Sequence, residues 1–445
     1  MTISILDDAI IGPAFITDEV RAHYTTSGWL GEILRVEHAL AQAQAGLDIV
    51  PQEAADAIGA LDSSQFDMAR LHDRTAQVGF PLVAITEQIT ELLDEGLGEY
   101  AHWGATTQDI FDTVQVILAK SATGRLEAEL VAIGELLSTF ADEERDTLML
   151  ARSQGQAALP TTFGLRAAGW LSGVNRHLER LTEMQPRVLV AQLSGAVGTA
   201  ASFGPQAEMV QREFANLVGL GFAPVSWHTQ RDGHAEIAAH FAGIAGSLGK
   251  IGLDVALASQ SGIDEMHEGP PGNSGGTSST MPQKRNAILA QQVVQNARLA
   301  RSLSATMHEA LVTDYDRGTG VWPIEWFALP QLLALTESST NKALQLLTTL
   351  TIDREVMAKN LEVADTAMAE SVMMHLAPKL GRQKAHDLVA DAIRSHPDVP
   401  FAEALKASDL EVDASVLDPM EYLGTTQNQI DAAISHFTEI QAARR

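Results

Sequence analysis

Residues able to do chemistry gather in one stretch, residues 268–286. It carries Gly-Pro-Pro-Gly at 269–272 and Gly275-Gly276-Thr277. Then comes Ser278-Ser279-Thr280-Met281-Pro282-Gln283-Lys284-Arg285-Asn286. Ser278 and Ser279 supply hydroxyls. Backbone N–H groups of a glycine-rich turn can bind an anion. Lys284 and Asn286 can stabilise developing negative charge. These are the parts needed to remove a proton next to a carboxylate. That step makes a dianionic, enolate-like species, which demands preorganised donors. A serine hydroxyl is too weak a base unaided, so its alkoxide needs positive charge nearby. On composition alone the plainer reading, a solvated loop capping the next helix, has the advantage.

Other chemistries fit less well. Lys284 is not preceded by glycine and no Ser or Thr follows it, so the loop does not read as a phosphate-binding P-loop. Gly195-Ala196-Val197-Gly198 is a lone glycine pair without a preceding strand. His234 and His240 are six apart rather than four and cannot share a helical face as a zinc pair does. Neither a metal nor any cofactor is expected.

The elements that must hold such a loop are helices. Leu30, Ile33, Leu34, Glu37, Leu40, Ala41 and Gln44 fall on one helical face, with Pro51 just beyond. Leu171, Val174, Leu178 and Leu181 repeat the pattern, and Pro186 is expected to kink or end that helix. Ile237, Phe241, Ile244, Leu248, Ile251 and Val255 are spaced 4, 3, 4, 3, 4, a heptad pattern suited to long helices packed side by side. Leu289, Val293, Asn296, Ala300, Leu303 and Met307 continue it, and 329–350 is a further apolar stretch. Several long buried helices between about residues 160 and 350 predict an all-α bundle core. Such helices commonly continue their burial across a subunit interface, so an oligomer is expected. Strand signals are weak. A second polar interruption is His102-Trp103-Gly104-Ala105-Thr106-Thr107-Gln108-Asp109.

The chain has 445 residues, with 45% hydrophobic and 20% charged, enough to bury a large core. The net charge of −27 repels phosphate backbones and argues against a nucleic-acid partner. It also repels anionic substrates at long range, so a polycarboxylate would need a locally positive site. Cysteine is absent, which excludes disulfides and thiolate chemistry. The first twenty residues do not read as a signal peptide. The apolar uncharged run 237–249 is too short to span a membrane, so no membrane partner and a cytoplasmic location are expected.

The run from Ser278 to Asn286 resembles the Ser-Ser-x-x-Met-Pro-x-Lys-x-Asn motif of the fumarase/aspartase superfamily. The resemblance extends along the chain. The segment 102–109 with Asp112-Thr113 is similar to the first family segment. Trp227-His228-Thr229-Gln230-Arg231-Asp232, Gly246-Ser247-Leu248-Gly249-Lys250, Trp322, Glu325 and Trp326 resemble the 3-carboxy-cis,cis-muconate cycloisomerase branch. So do Leu417-Asp418-Pro419 and Tyr422-Leu423-Gly424.

The resemblance implies an all-α fold in three regions: an N-terminal helical domain (1–110), a central long-helix bundle carrying the loop (111–350) and a C-terminal helical domain (351–445). It implies a homotetramer whose active sites combine segments of different subunits. It makes Ser278 the general base, with Lys284 and Asn286 stabilising an aci-carboxylate intermediate. Thr106 and Thr107 match the hydroxyl pair that binds a substrate carboxylate, and His102 matches an active-site histidine. Ser279 and the N-terminal Arg21 are further expected substrate contacts.

One segment departs from the family. In 152–160, Gln154 stands where adenylosuccinate lyases have histidine and the cycloisomerases tryptophan. Ala157 stands where the cycloisomerases have histidine. Pro323 and Ala287 replace a histidine and a proline of that branch. Gln154 can donate a hydrogen bond to substrate but cannot supply a proton at neutral pH. The general acid is then His102, water, or nothing if the leaving group departs as a stable anion.

The expected activity is cofactor-independent addition or β-elimination next to a carboxylate, most like the cycloisomerase, on a small di- or tricarboxylate. One alternative is a lyase that releases nitrite, ammonia or an amine from a substituted succinate to give fumarate. Another is a non-catalytic structural homologue. Asp112, Thr113, Trp322 and Trp326 read as capping or packing residues, and His228 has no assigned role.

Overall fold

The computed structural model describes residues 4–94, 96–269 and 276–444. The all-α expectation is met. Seven long helices carry the architecture: α1 (Thr26–Ala45), α2 (Thr107–Glu143), α3 (Phe163–Val188), α4 (Asp232–Ala258), α5 (Ile288–Glu309), α6 (Trp322–Thr348) and α7 (Thr426–Ala443). The predicted faces are the buried ones. On α4, Ile237, Phe241, Ile244, Leu248, Ile251 and Val255 are each at most 2% exposed. Leu171, Val174, Leu178 and Leu181 line the buried side of α3. Pro186 lies inside the last turn of α3, which ends at Val188.

The chain forms two compact units. One comprises Met1–Glu129, Glu179–Gly249 and Gln292–Asn341; the other comprises Leu130–Leu178, Lys250–Gln291 and Lys342–Arg445. Within the first unit, Asp112 of α2, Arg231 just ahead of α4 and Glu325 of α6 form a buried ionic network. Arg231 Nη1 donates to Asp112 Oδ2 at 2.7 Å and Arg231 Nε donates to Glu325 Oε1 at 3.0 Å. Trp322 Nε1 also donates to Asp112, at 2.9 Å. Trp322 packs edge-on against Trp326 at 4.5 Å between ring centroids, and Trp29 likewise against Phe111 at 4.8 Å. These tryptophans pack, as expected.

Within the second unit, the sequence reading is corrected at one place. A β-hairpin, β1 (Leu148–Ser153) and β2 (Gln156–Thr162), stands between α2 and α3. Its turn is Gln154-Gly155, with φ of 55° and 77°. Two residues of positive φ make a tight turn whose twist matches the strands. Alternation was hard to read because two alanines and a proline occupy β2. The loop 268–286 also has more structure than composition suggested. After β3 (Met266–His267), β4 (Gly276–Thr277) pairs antiparallel with β5 (Arg285–Asn286). Gly275 and Gly272 lie outside the described residues.

One further reading changes. Among the described residues, Asp232–Ala258 is a helix long and apolar enough to cross a membrane, and 56% of its apolar window is buried. Counting uncharged runs had missed it. Its heptad face is covered by protein and Lys250 pairs with Asp254 one turn on, so it reads as a bundle helix. Lys250, nearly uncharged surroundings notwithstanding, therefore has a partner.

Candidate active site

The candidate side chains fall in two groups, one in each unit. In the first unit, the loop leading into α2 is held in a left-handed turn, with φ of 56° at His102 and 77° at Gly104. A Cβ at Gly104 would lie 3.0 Å from the Phe203 ring and from Ser202 Oγ, so only glycine fits there. Glu37, buried on α1, holds His102 twice. Its Oε1 lies 2.8 Å from His102 Nδ1, and its Oε2 accepts the His102 backbone N–H at 3.1 Å. A carboxylate can only accept, so Nδ1 carries the hydrogen. Burial works against a charged imidazole. The Glu37 carboxylate, its hydrogen bond and the charge of Asp109 outweigh that effect, and His102 is held above the ordinary histidine range.

Thr106 and Thr107 are half-buried at the start of α2. The N–H groups and dipole of this 37-residue helix favour a carboxylate there. Asp109 ties this end together. It accepts the N–H groups of Thr106 at 3.0 Å, Ser194 at 2.9 Å and Gly195 at 2.9 Å, and it lies 2.8 Å from His228 Nε2. The glycine pair at 195–198 is thus a turn that clasps a carboxylate, not a nucleotide site. Arg317 Nη2 donates to the carbonyls of Gly195 and Ala196 at 3.3 and 2.9 Å. Its Nε is buried without a partner among the described residues. Arg21 is placed apart from these groups, in the N-terminal segment. Its guanidinium donates to the Leu6 carbonyl and lies 4.0 Å from Asp7 and from Asp18.

In the second unit, the β4–β5 ladder pairs Gly276 with Asn286 and closes the loop that carries Ser278 to Lys284. Asn286 Nδ2 donates to the Gly276 carbonyl at 3.2 Å and braces that closure. Ser278 Oγ accepts the N–H of Met281 at 3.0 Å and of Thr280 at 3.3 Å. The Lys284 N–H donates to the Met281 carbonyl at 3.1 Å. Lys284 and Asn286 line a cavity of about 700 Å³ with His267, Glu268, Gln260 and Asp264. Ser279 is exposed. Glu268 fixes where the loop ends, because its carboxylate accepts the N–H groups of Ile288, Leu289 and Ala290 at the start of α5, at 2.5, 3.2 and 3.1 Å. Such a cap satisfies donors that the helix itself cannot. Gln154 and Ala157 are both exposed on the β1–β2 hairpin. Arg152 anchors that hairpin through a bidentate pair to buried Glu265 at 2.8 and 2.7 Å.

The sequence-predicted residues fall in two groups, His102, Thr106 and Thr107 in one unit and Ser278, Ser279, Lys284 and Asn286 in the other. Sequence reasoning missed Glu37, Asp109 and Arg317, and it left His228 without a partner. A signal existed for Glu37. It fell on the apolar face of α1, and a carboxylate on a buried face needs a partner.

Comparison with known proteins shows the family and the fold. A sequence profile of the family described as Lyase matches residues 15–299. Trans-aconitate decarboxylase 1 of Mycosarcoma maydis is 34% identical over 95% of this chain and 87% of its own length. The 3-carboxy-cis,cis-muconate cycloisomerase of Acinetobacter baylyi is 34% identical over 94% of this chain and 96% of its own. Among solved structures, the 3-carboxy-cis,cis-muconate lactonizing enzyme from Pseudomonas putida aligns with a TM-score of 0.89 at 30% identity, over 98% of this chain and 100% of that one.

Proposed function

The chain belongs to the fumarase/aspartase superfamily of lyases, and we propose that this enzyme catalyses cofactor-independent addition or β-elimination next to a carboxylate through an aci-carboxylate intermediate. The observation that carries the reading is the pair of backbone N–H groups on Ser278 Oγ. An oxygen held by two such donors is prepared to exist as an alkoxide, since the donors are in place before the charge forms.

In the elimination direction, Ser278 Oγ takes the proton on the carbon next to the substrate carboxylate. The C–H electron pair moves into that carboxylate and gives the dianion, opposite which Lys284 and Asn286 stand. The dianion then expels the leaving group from the next carbon. In the addition direction an internal carboxylate attacks the double bond and the α-carbon receives its proton from Ser278. His102, whose charged form Glu37 favours, supplies the cation and the proton that Gln154 cannot. Thr106 and Thr107 hold a second carboxylate. Ser279 is a further contact, and Arg21 and Gln154 join from other subunits of a homotetramer.

Cycloisomerisation of a carboxymuconate is the favoured reaction, in keeping with the relatives named above. A specific observation favours the second reading, release of nitrite, ammonia or an amine from a substituted succinate. The exposed hairpin carries Gln154 and Ala157 where imidazoles would stand, and nitrite leaves without a proton. A substrate panel followed by ultraviolet absorbance separates the two. Loss of the conjugated diene of 3-carboxy-cis,cis-muconate supports the first. Appearance of fumarate from nitrosuccinate or an N-substituted aspartate supports the second. Turnover of neither substrate class would overturn the proposal.

A further inference from the structure

We propose that Glu37 is a positioning residue for the reaction, one that fixes the tautomer and orientation of His102 so that Nε2 is the atom that hands over a proton. The inference rests on the reading of His102 as the proton carrier. Three observations on different atoms support it. First, one carboxylate holds both the ring and the backbone of the same residue, at 2.8 and 3.1 Å. A single rigid group therefore sets the ring angle and the left-handed φ of 56° together. A non-glycine residue in that region is strained and persists only where its surroundings impose it. Second, Gln44 lies seven residues further along α1, on the same face. Its Nε2 donates to the Trp103 carbonyl at 2.8 Å, so α1 grips two consecutive residues of the loop. Third, Glu37 has a fully buried side chain while His102 keeps 21% of its side chain exposed. The carboxylate is shielded from solvent, and the imidazole is only partly so.

The charged groups that face His102 are Glu37 from α1 and Asp109 from α2, the latter already engaged with His228. Proton transfer then balances simply. The Nε2–H bond breaks, a bond from that hydrogen to the leaving group forms, and the imidazole becomes neutral while Nδ1–H stays hydrogen-bonded to Glu37. Glu37 takes no proton at any stage. It stabilises the imidazolium and leaves Nδ1 unable to compete as donor. A histidine kept charged in this way is active below its midpoint and loses activity as pH rises through it.

Two measurements on the intact protein test this. The first is the ring titration of His102 by NMR of histidine-labelled protein, with its signal identified by loss in His102→Asn. In Glu37→Gln the midpoint should fall by about one pH unit or more, because the nearer opposite charge is gone and only Asp109 still opposes burial. The second is the pH profile of kcat/KM on the substrate that the panel identifies. Its alkaline limb should move to lower pH by the same amount in Glu37→Gln. Gln44→Ala loosens the same loop without changing charge, so it should lower the rate and leave the limb in place. An unmoved ring midpoint in Glu37→Gln overturns the proposal. So does a moved midpoint with an unmoved limb. Silence of the wild type on every carboxylate would count against the reaction class instead, and the ring titration would still decide the pairing.

Discussion

A serine hydroxyl in water holds its proton far too tightly to act as a base near neutral pH. What changes at Ser278 is its surroundings, not its chemistry. The N–H groups of Thr280 and Met281 converge on Oγ, and Lys284 follows within the same closed loop. Ser278→Ala should therefore lower kcat by about 10²–10⁴, the usual range for a lost acid–base group. Stability should change little, because the two turn hydrogen bonds lie at an exposed site and together contribute about 1 kcal/mol. Initial rates beside thermal melts check both halves. Full activity in Ser278→Ala would remove Ser278 as the base.

Helices locate these residues, and what locks the helices is buried charge. Asp112 on α2 and Glu325 on α6 are both fully buried against Arg231. Burial alone would raise the Asp112 carboxyl, but the Arg231 guanidinium holds it below its ordinary range. Arg231→Met should destabilise the protein by about 3–5 kcal/mol, because two buried carboxylates lose their counter-charge. The effect has a pH signature. In the wild type the depressed Asp112 contributes stability above its unfolded pKa and loses it as pH falls through the folded value. In Arg231→Met the uncompensated carboxylates take up protons more readily than in the unfolded chain. The stability gap between variant and wild type should therefore narrow as pH falls toward the carboxylate range. Denaturant unfolding at several pH values measures it, and a gap independent of pH would assign the loss to packing instead.

At the scale of the molecule, the two groups of candidate residues belong to different compact units. His102, Thr106 and Thr107 lie in one, and Ser278, Lys284 and Asn286 in the other. If active sites combine segments of different subunits, as proposed, two inactive variants should rescue each other. His102→Asn and Ser278→Ala, unfolded together and refolded as a mixture, should recover a substantial fraction of wild-type activity. Each refolded alone should stay inactive. Failure to recover activity in mixed assemblies of verified composition would place both residues in a site built by one chain. The net charge of −27 makes local positive charge necessary for an anionic substrate, because the field of the whole molecule opposes its approach.

The sequence by itself determined the helical faces and the family. Burial on α4 follows a strict 4-3 spacing, which is a one-dimensional property of the chain. The motif from Ser278 to Asn286 is contiguous, so its donors are legible without any fold. Family membership followed from such contiguous segments. Tertiary structure alone decided the partners. Glu37 reaches His102 across 65 residues and Asp109 reaches His228 across 119. No local pattern encodes a hydrogen bond between helices, because the pairing depends on which faces pack together. The β1–β2 hairpin was hidden for a related reason, since cross-strand pairing rather than residue preference holds it. The loop is legible as a contiguous motif, whereas only the packed helix α1 shows which carboxylate pairs with His102.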